Sequence, residues 1–93
     1  MRKRFAWDAG KNDWLKANRG ISFEEVVFSI EQGGLLETTG HPNKARYPNQ
    51  RMFTVLVSHY VYLVPFVEDQ AAVFLKTIIP SRKSTRKFLK GGN

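Results

Sequence analysis

Near Leu35 the spacing of apolar side chains switches from helical to strand-like, and that switch sets two helices ahead of a run of strands. Upstream they recur at three- and four-residue intervals, which gathers them on one face of a helix. "GISFEEVVFSIEQGG" is the clearest such segment. Ser22 and Glu25 make a capping box, and Glu24 and Glu25 suit the positive end of the helix dipole. Phe23, Val26, Val27 and Ile30 form its buried stripe, and Gly33 supplies a left-handed ending. Phe28 lies off that stripe and is expected to pack under a loop or a neighbouring strand. Before this segment, "FAW" reads as a short strand, and Asp8 as the N-cap of a helix over residues 9–18. Lys11, Trp14, Leu15 and Asn18 share one face of that helix. Either Lys11 packs its methylenes on the tryptophan, or it serves chemistry.

Downstream of Leu35 the period becomes that of strands. "LLETT", "RMFTVLVS", "YVYLVPFV" and "VFLKTII" follow one another with short turns, so an antiparallel meander is the simplest topology. Arg51, Phe53, Val55 and Val57 alternate with Met52, Thr54 and Leu56, and period alone leaves open which set faces the helices. Pro65 cannot donate to a ladder and predicts an edge, an irregularity or a bulge. The expected fold class is α+β: two N-terminal helices packed on a twisted antiparallel sheet of about four strands, with a basic helix at the C-terminus.

Ninety-three residues, 42% of them hydrophobic, suit one domain spanning residues 1–93. With no cysteine there is no disulfide framework and no thiolate ligand, and two separated histidines argue against a zinc site; no metal or cofactor is expected. No apolar run approaches the roughly 18 residues that span a bilayer, and "MRKRFAW" is too short in its apolar part for a secretory signal. The expectation is a cytoplasmic protein without a membrane partner.

Charge points to a polyanion. Fifteen lysines and arginines against eight carboxylates give a formal charge of +7. Residues 1–46 carry eight basic and six acidic side chains, residues 47–93 seven and two, so the excess lies toward the C-terminus. It peaks in "PSRKSTRKFLKGGN". Ser81 is a reasonable N-cap there, and a helix to about Lys90 would be stopped by Gly91 and Gly92. At roughly 100° per residue, Arg82, Lys83, Arg86, Lys87 and Lys90 fall within one arc, opposite Thr85, Phe88 and Leu89. A solvated helix back usually mixes signs for i,i+4 pairing. This one has no acid, which favours phosphate.

Three pieces in order, "FAWDAGKN", "GISFEEVV" and "IIPSRKSTRK", resemble the BrnT family of type II toxin–antitoxin toxins, whose pattern is W-D-x-x-K, then K-H-G-[VI]-S-F-E-E-A, then I-S-x-R-x-A. The matching positions are Trp7, Asp8 and Lys11; Gly20 to Glu25; Arg51; Glu68; and Arg82, Lys83, Thr85 and Arg86. The family's K-H-G stands here as Asn18, Arg19 and Gly20, and its arginine after the strand-end glutamate as Asp69. The resemblance implies a small RelE-like ribonuclease that stops translation. It also implies an antitoxin partner, usually one with a ribbon–helix–helix DNA-binding domain.

Metal-independent RNA cleavage needs a base for the 2′-hydroxyl, positive charge at the phosphorane and an acid for the leaving oxygen. The expected catalytic set is Lys11, Arg51, Glu68, Arg82 and Arg86, converging on one phosphate with Glu68 as base. Lys83, Lys87, Lys90 and Tyr62 are the expected RNA-binding residues. Glu68 also reads as a solvated turn residue in "VEDQ", Tyr47 and Tyr62 as packing residues, and His41 and His59 as loop residues. The alternative function is a basic module that grips RNA or a protein partner without cleaving.

Overall fold

Asp8 and Ser22 start the two N-terminal helices. The computed structural model describes residues 3–90. Strand β1 (Arg4–Trp7) leads into α1 (Ala9–Arg19), where Asp8 Oδ2 accepts from the Lys11 backbone N–H at 2.8 Å and Gly20, at φ 65°, takes the left-handed cap. In α2 (Phe23–Glu31) both halves of the capping box form. Between the helices lies Asn12, only 4% exposed. Its side-chain oxygen accepts from the Phe23 N–H at 2.8 Å, and its amide nitrogen donates to Glu24 Oε1 at 2.7 Å. A buried donor at the start of α2 is thereby satisfied from α1, which fixes how the two helices meet.

The strands that follow are β2 (Leu35–Gly40), β3 (Arg51–Val57), β4 (Tyr60–Glu68), β5 (Ala72–Leu75) and β6 (Ile79–Pro80). The helix α3 (Arg82–Thr85) comes next and runs on as a π-helical turn, Arg86–Lys90. Gly91 and Gly92, expected to stop this helix, lie outside the described residues, as does the side chain of Lys90. The fold is α+β, with the two N-terminal helices on a sheet ordered β1-β5-β4-β3-β2, and β6 pairing β4.

The meander β2 to β5 is antiparallel as expected, but the sheet is mixed and larger than four strands. β1 adds to the edge in parallel with β5, Arg4 opposite Ala72 and Trp7 opposite Leu75. A parallel neighbour so distant in sequence leaves no local pattern to detect. The odd residues of β3 face the helices: Phe53, Val55 and Val57 join Leu15, Ile21, Phe23, Val26, Val64, Phe66, Leu75 and Ile78 in the core. Phe53 and Phe66 stack at 3.8 Å between centroids.

Pro65 sits in a central strand rather than on an edge, and the irregularity it demands appears beside it. Its carbonyl accepts from Lys76 N–H at 2.8 Å, so its donor-less nitrogen faces the same neighbour, and there the predicted strand over 73–79 splits into β5 and β6. Phe28 packs under nothing: it is 63% exposed, because α2 covers β2 and β3 with its other face. None of the described helices is long and apolar enough to cross a membrane.

Asn12→Ala leaves the Phe23 N–H buried without a partner. It should lower the unfolding free energy by about 1–3 kcal/mol in urea titrations. A change within error would show that water replaces the amide there.

Candidate nucleic-acid interface

The terminal basic helix is fastened to β4 by its own cap. Ser81 N–H donates to the Val61 carbonyl at 3.0 Å, and the Val61 N–H donates back to Thr85 Oγ1 at 2.8 Å. Thr85 Oγ1 also donates to the Ser81 carbonyl at 2.7 Å, and the Ser81 hydroxyl accepts from Ser84 N–H at 3.1 Å. Both backbone groups of a strand residue are thus used by a helix start. The basic side chains leave from a rigid base rather than a loose tail.

Arg82, Lys83, Arg86 and Lys87 are exposed and together line an open cleft of about 500 Å³. The π-helical turn departs from the 100° spacing assumed for it, yet these four cations still share one concavity. Among the described residues none of them is ion-paired. Uncompensated cations around one hollow suit phosphate oxygens chemically, with the two guanidiniums able to take them bidentately.

Arg51 and Glu68 do meet, at the other end of β4. Glu68 Oε1 accepts from Arg51 Nη1 at 3.2 Å and its Oε2 from Lys3 Nζ at 2.8 Å. The hydrogen bond from Lys3 is the largest cause that holds this carboxyl below its ordinary value, with the charges of Lys3 and Arg51 adding to it. Seven residue steps along β4 separate Glu68 from Val61, on the order of 20 Å. The expected convergence of Glu68 and Arg51 with Arg82 and Arg86 on one phosphate is therefore not built. The four residues form two sites. Lys3 reaches this site only through the parallel pairing of β1, which leaves no mark in the local sequence.

Lys11 is turned onto Trp14, its ammonium 4.6 Å from the ring centroid, as the packing alternative foresaw. Tyr62 packs against the core and lies 5.4 Å from the Tyr60 ring. Burial pushes its hydroxyl pKa up, with the charge of Glu25 next, so it keeps its proton. His41 accepts from Asn43 N–H through Nδ1 at 3.0 Å and lies tilted 4.5 Å from the Tyr47 ring, both in the loop between β2 and β3. His59 forms the β3–β4 turn with Ser58. Among the described residues no three histidines, cysteines or carboxylates stand close enough to hold a metal ion.

The folded-state pKa of Glu68 is depressed, so it contributes stability above the ordinary value of 4.5 and loses it as pH falls through the folded value. Across about pH 7 to pH 3, the wild type should lose stability relative to Glu68→Gln, with the divergence below about pH 4.5. Parallel curves would mean that the two ion pairs add nothing in solution, the common fate of surface pairs.

Compared with protein families, curated proteins and solved structures, the chain matches none.

Proposed function

We propose that the chain is a ribonuclease toxin of the kind its three motifs resemble, and that RNA is held in the cleft of the terminal helix. The observation that carries this reading is four cations, unpaired among the described residues, lining one concavity on a helix whose cap is bonded into the sheet. A tail that merely solubilised the protein would need neither the anchoring nor the hollow.

In this reading Arg82 and Arg86 supply charge to the phosphorane, and Lys83 and Lys87 hold flanking phosphates. Glu68 is occupied elsewhere and its pKa is lowered, so it is a poor base for a phosphate at this helix. That observation favours a second reading, in which the helix grips RNA without cleaving it. The partner that neutralises the toxin would be an antitoxin with an acidic segment that covers the same face. A ribbon–helix–helix domain is the form the resemblance implies for it, and the cytoplasm the location.

Purified protein incubated with bulk RNA in EDTA decides between the readings. If the arginines stabilise the phosphorane, Arg82→Ala or Arg86→Ala should slow cleavage about 100- to 1,000-fold. Lys87→Ala should weaken binding modestly and lower the slope of log affinity against log salt by about 0.7. Glu68→Gln should leave the rate within about tenfold. RNA that binds with this salt dependence and stays intact would establish grip without cleavage. Co-expression with the adjacent gene should yield a complex that survives moderate salt, since complementary charge governs encounter more than residence. No co-purifying partner would count against the toxin assignment.

A further inference from the structure

Trp14 is large, aromatic and 45% exposed, and two cations lie against its ring. Lys11 Nζ lies 4.6 Å from its ring centroid and Arg19 Cζ 5.3 Å. Arg19 in turn donates from Nη1 to the Ile78 carbonyl at 2.7 Å, three residues before the cap of the basic helix. The four residue steps from Ile78 to Arg82 span at most about 14 Å even when extended. By this path through Arg19 the ring lies within roughly 25 Å of Arg82, a span that several nucleotides of single strand can bridge.

An exposed aromatic ring among cations, within one strand's reach of a basic groove, is the arrangement by which single strands are held: a base stacks on the ring while cations meet the backbone. We infer that Trp14 is a base-stacking platform for single-stranded RNA, with Lys11 and Arg19 as its phosphate partners, extending the cleft of Arg82 and Arg86. This rests on the RNA reading above and adds a second contact of different chemistry.

Relative strengths decide whether a base can enter. An exposed cation–π contact such as that of Lys11 is worth about 0.5–1 kcal/mol, whereas base–aromatic stacking is worth about 1–3 kcal/mol. The base displaces the lysine, whose ammonium swings to the neighbouring phosphate. Arg19 spends one of its five donors on Ile78 and keeps the rest for the ligand.

The test uses the intact chain and a uridine-only oligoribonucleotide of about 12 nucleotides, within the usual site size of such grooves. Trp14→Ala should weaken binding about 5- to 150-fold without changing the salt slope, and Trp14→Phe should retain most of the affinity. In a Trp7→Phe background, where Trp14 is the remaining tryptophan, the oligonucleotide should quench its emission. Arg82→Ala serves as the contrast, losing affinity together with salt slope. If the wild type binds in an Arg82-dependent way and Trp14→Ala binds equally well, the platform is wrong and the RNA reading stands. If the wild type does not bind the oligonucleotide at all, both fall.

Discussion

The missing N–H of Pro65 shapes the side of β4 on which function is proposed. Alternate residues of that strand turn their backbone groups toward the same neighbour, and each is served differently. Val67 lies opposite Phe74 of β5, Pro65 accepts from Lys76 alone, Leu63 lies opposite Ile79 of β6, and Val61 is taken by Ser81 and Thr85. With no donor at Pro65, an unbroken ladder is not available there, and the neighbouring chain leaves and returns across Thr77 and Ile78. That excursion buries Ile78 completely and presents its carbonyl to Arg19. When the chain rejoins, it stays for only two residues, and a helix cap closes the row at Val61. One absent hydrogen bond thus separates the strand from its continuation and sets where the basic helix begins.

Acid and base are distributed unequally by the same architecture. Five of the eight carboxylates are engaged within the fold: Asp8 caps α1, Glu24 meets Asn12, Glu25 closes a capping box, Glu68 binds Lys3 and Arg51, and Asp69 accepts from the Ala71 and Ala72 N–H groups. The pKa values of Glu24 and Asp69 are lowered by these hydrogen bonds, that of Asn12 to Glu24 and those of Ala71 and Ala72 to Asp69. Negative charge is consumed in starting helices and tightening a turn. The terminal helix has no carboxylate of its own, so the field around it remains that of its arginines and lysines.

Much of this was legible in the sequence wherever the determinant is local. Ser22 with Glu25, Asp8 before Ala9, and Ser81 before Arg82 mark helix starts because a side-chain oxygen two or three residues from a free N–H acts within one turn. Strand parity in β3 was legible for the same reason, though not which face the helices would take. What could not be read depends on pairing between distant segments. Nothing near Arg4 announces a parallel partner at Ala72, and without that pairing Lys3 has no reason to meet Glu68. Strand length keeps the expected cluster apart: Arg51 and Glu68 stand on strand ends, but at the end of β4 away from the basic helix. Phe28 stays uncovered because a residue off a helix stripe has no obligatory cover.

The β3–β4 hairpin shows what fixes that placement. Ser58 and His59 both take positive φ, 49° and 69°, the backbone sense of a tight turn whose twist matches its strands. Such turns favour asparagine and glycine, and a left-handed conformation costs an ordinary residue roughly 1–2 kcal/mol. The cost is sustained by the ladder it closes, which runs without a shift from Val57 opposite Tyr60 to Arg51 opposite Phe66. A slip of one residue in β4 would carry Val64 and Phe66 from the core face to the other face. It would also turn the Val61 groups from the Ser81 and Thr85 cap toward β3, leaving the helix start unbonded. The strained turn, the buried valines and the cap therefore demand the same register, and the basic helix stands where it does because all three agree.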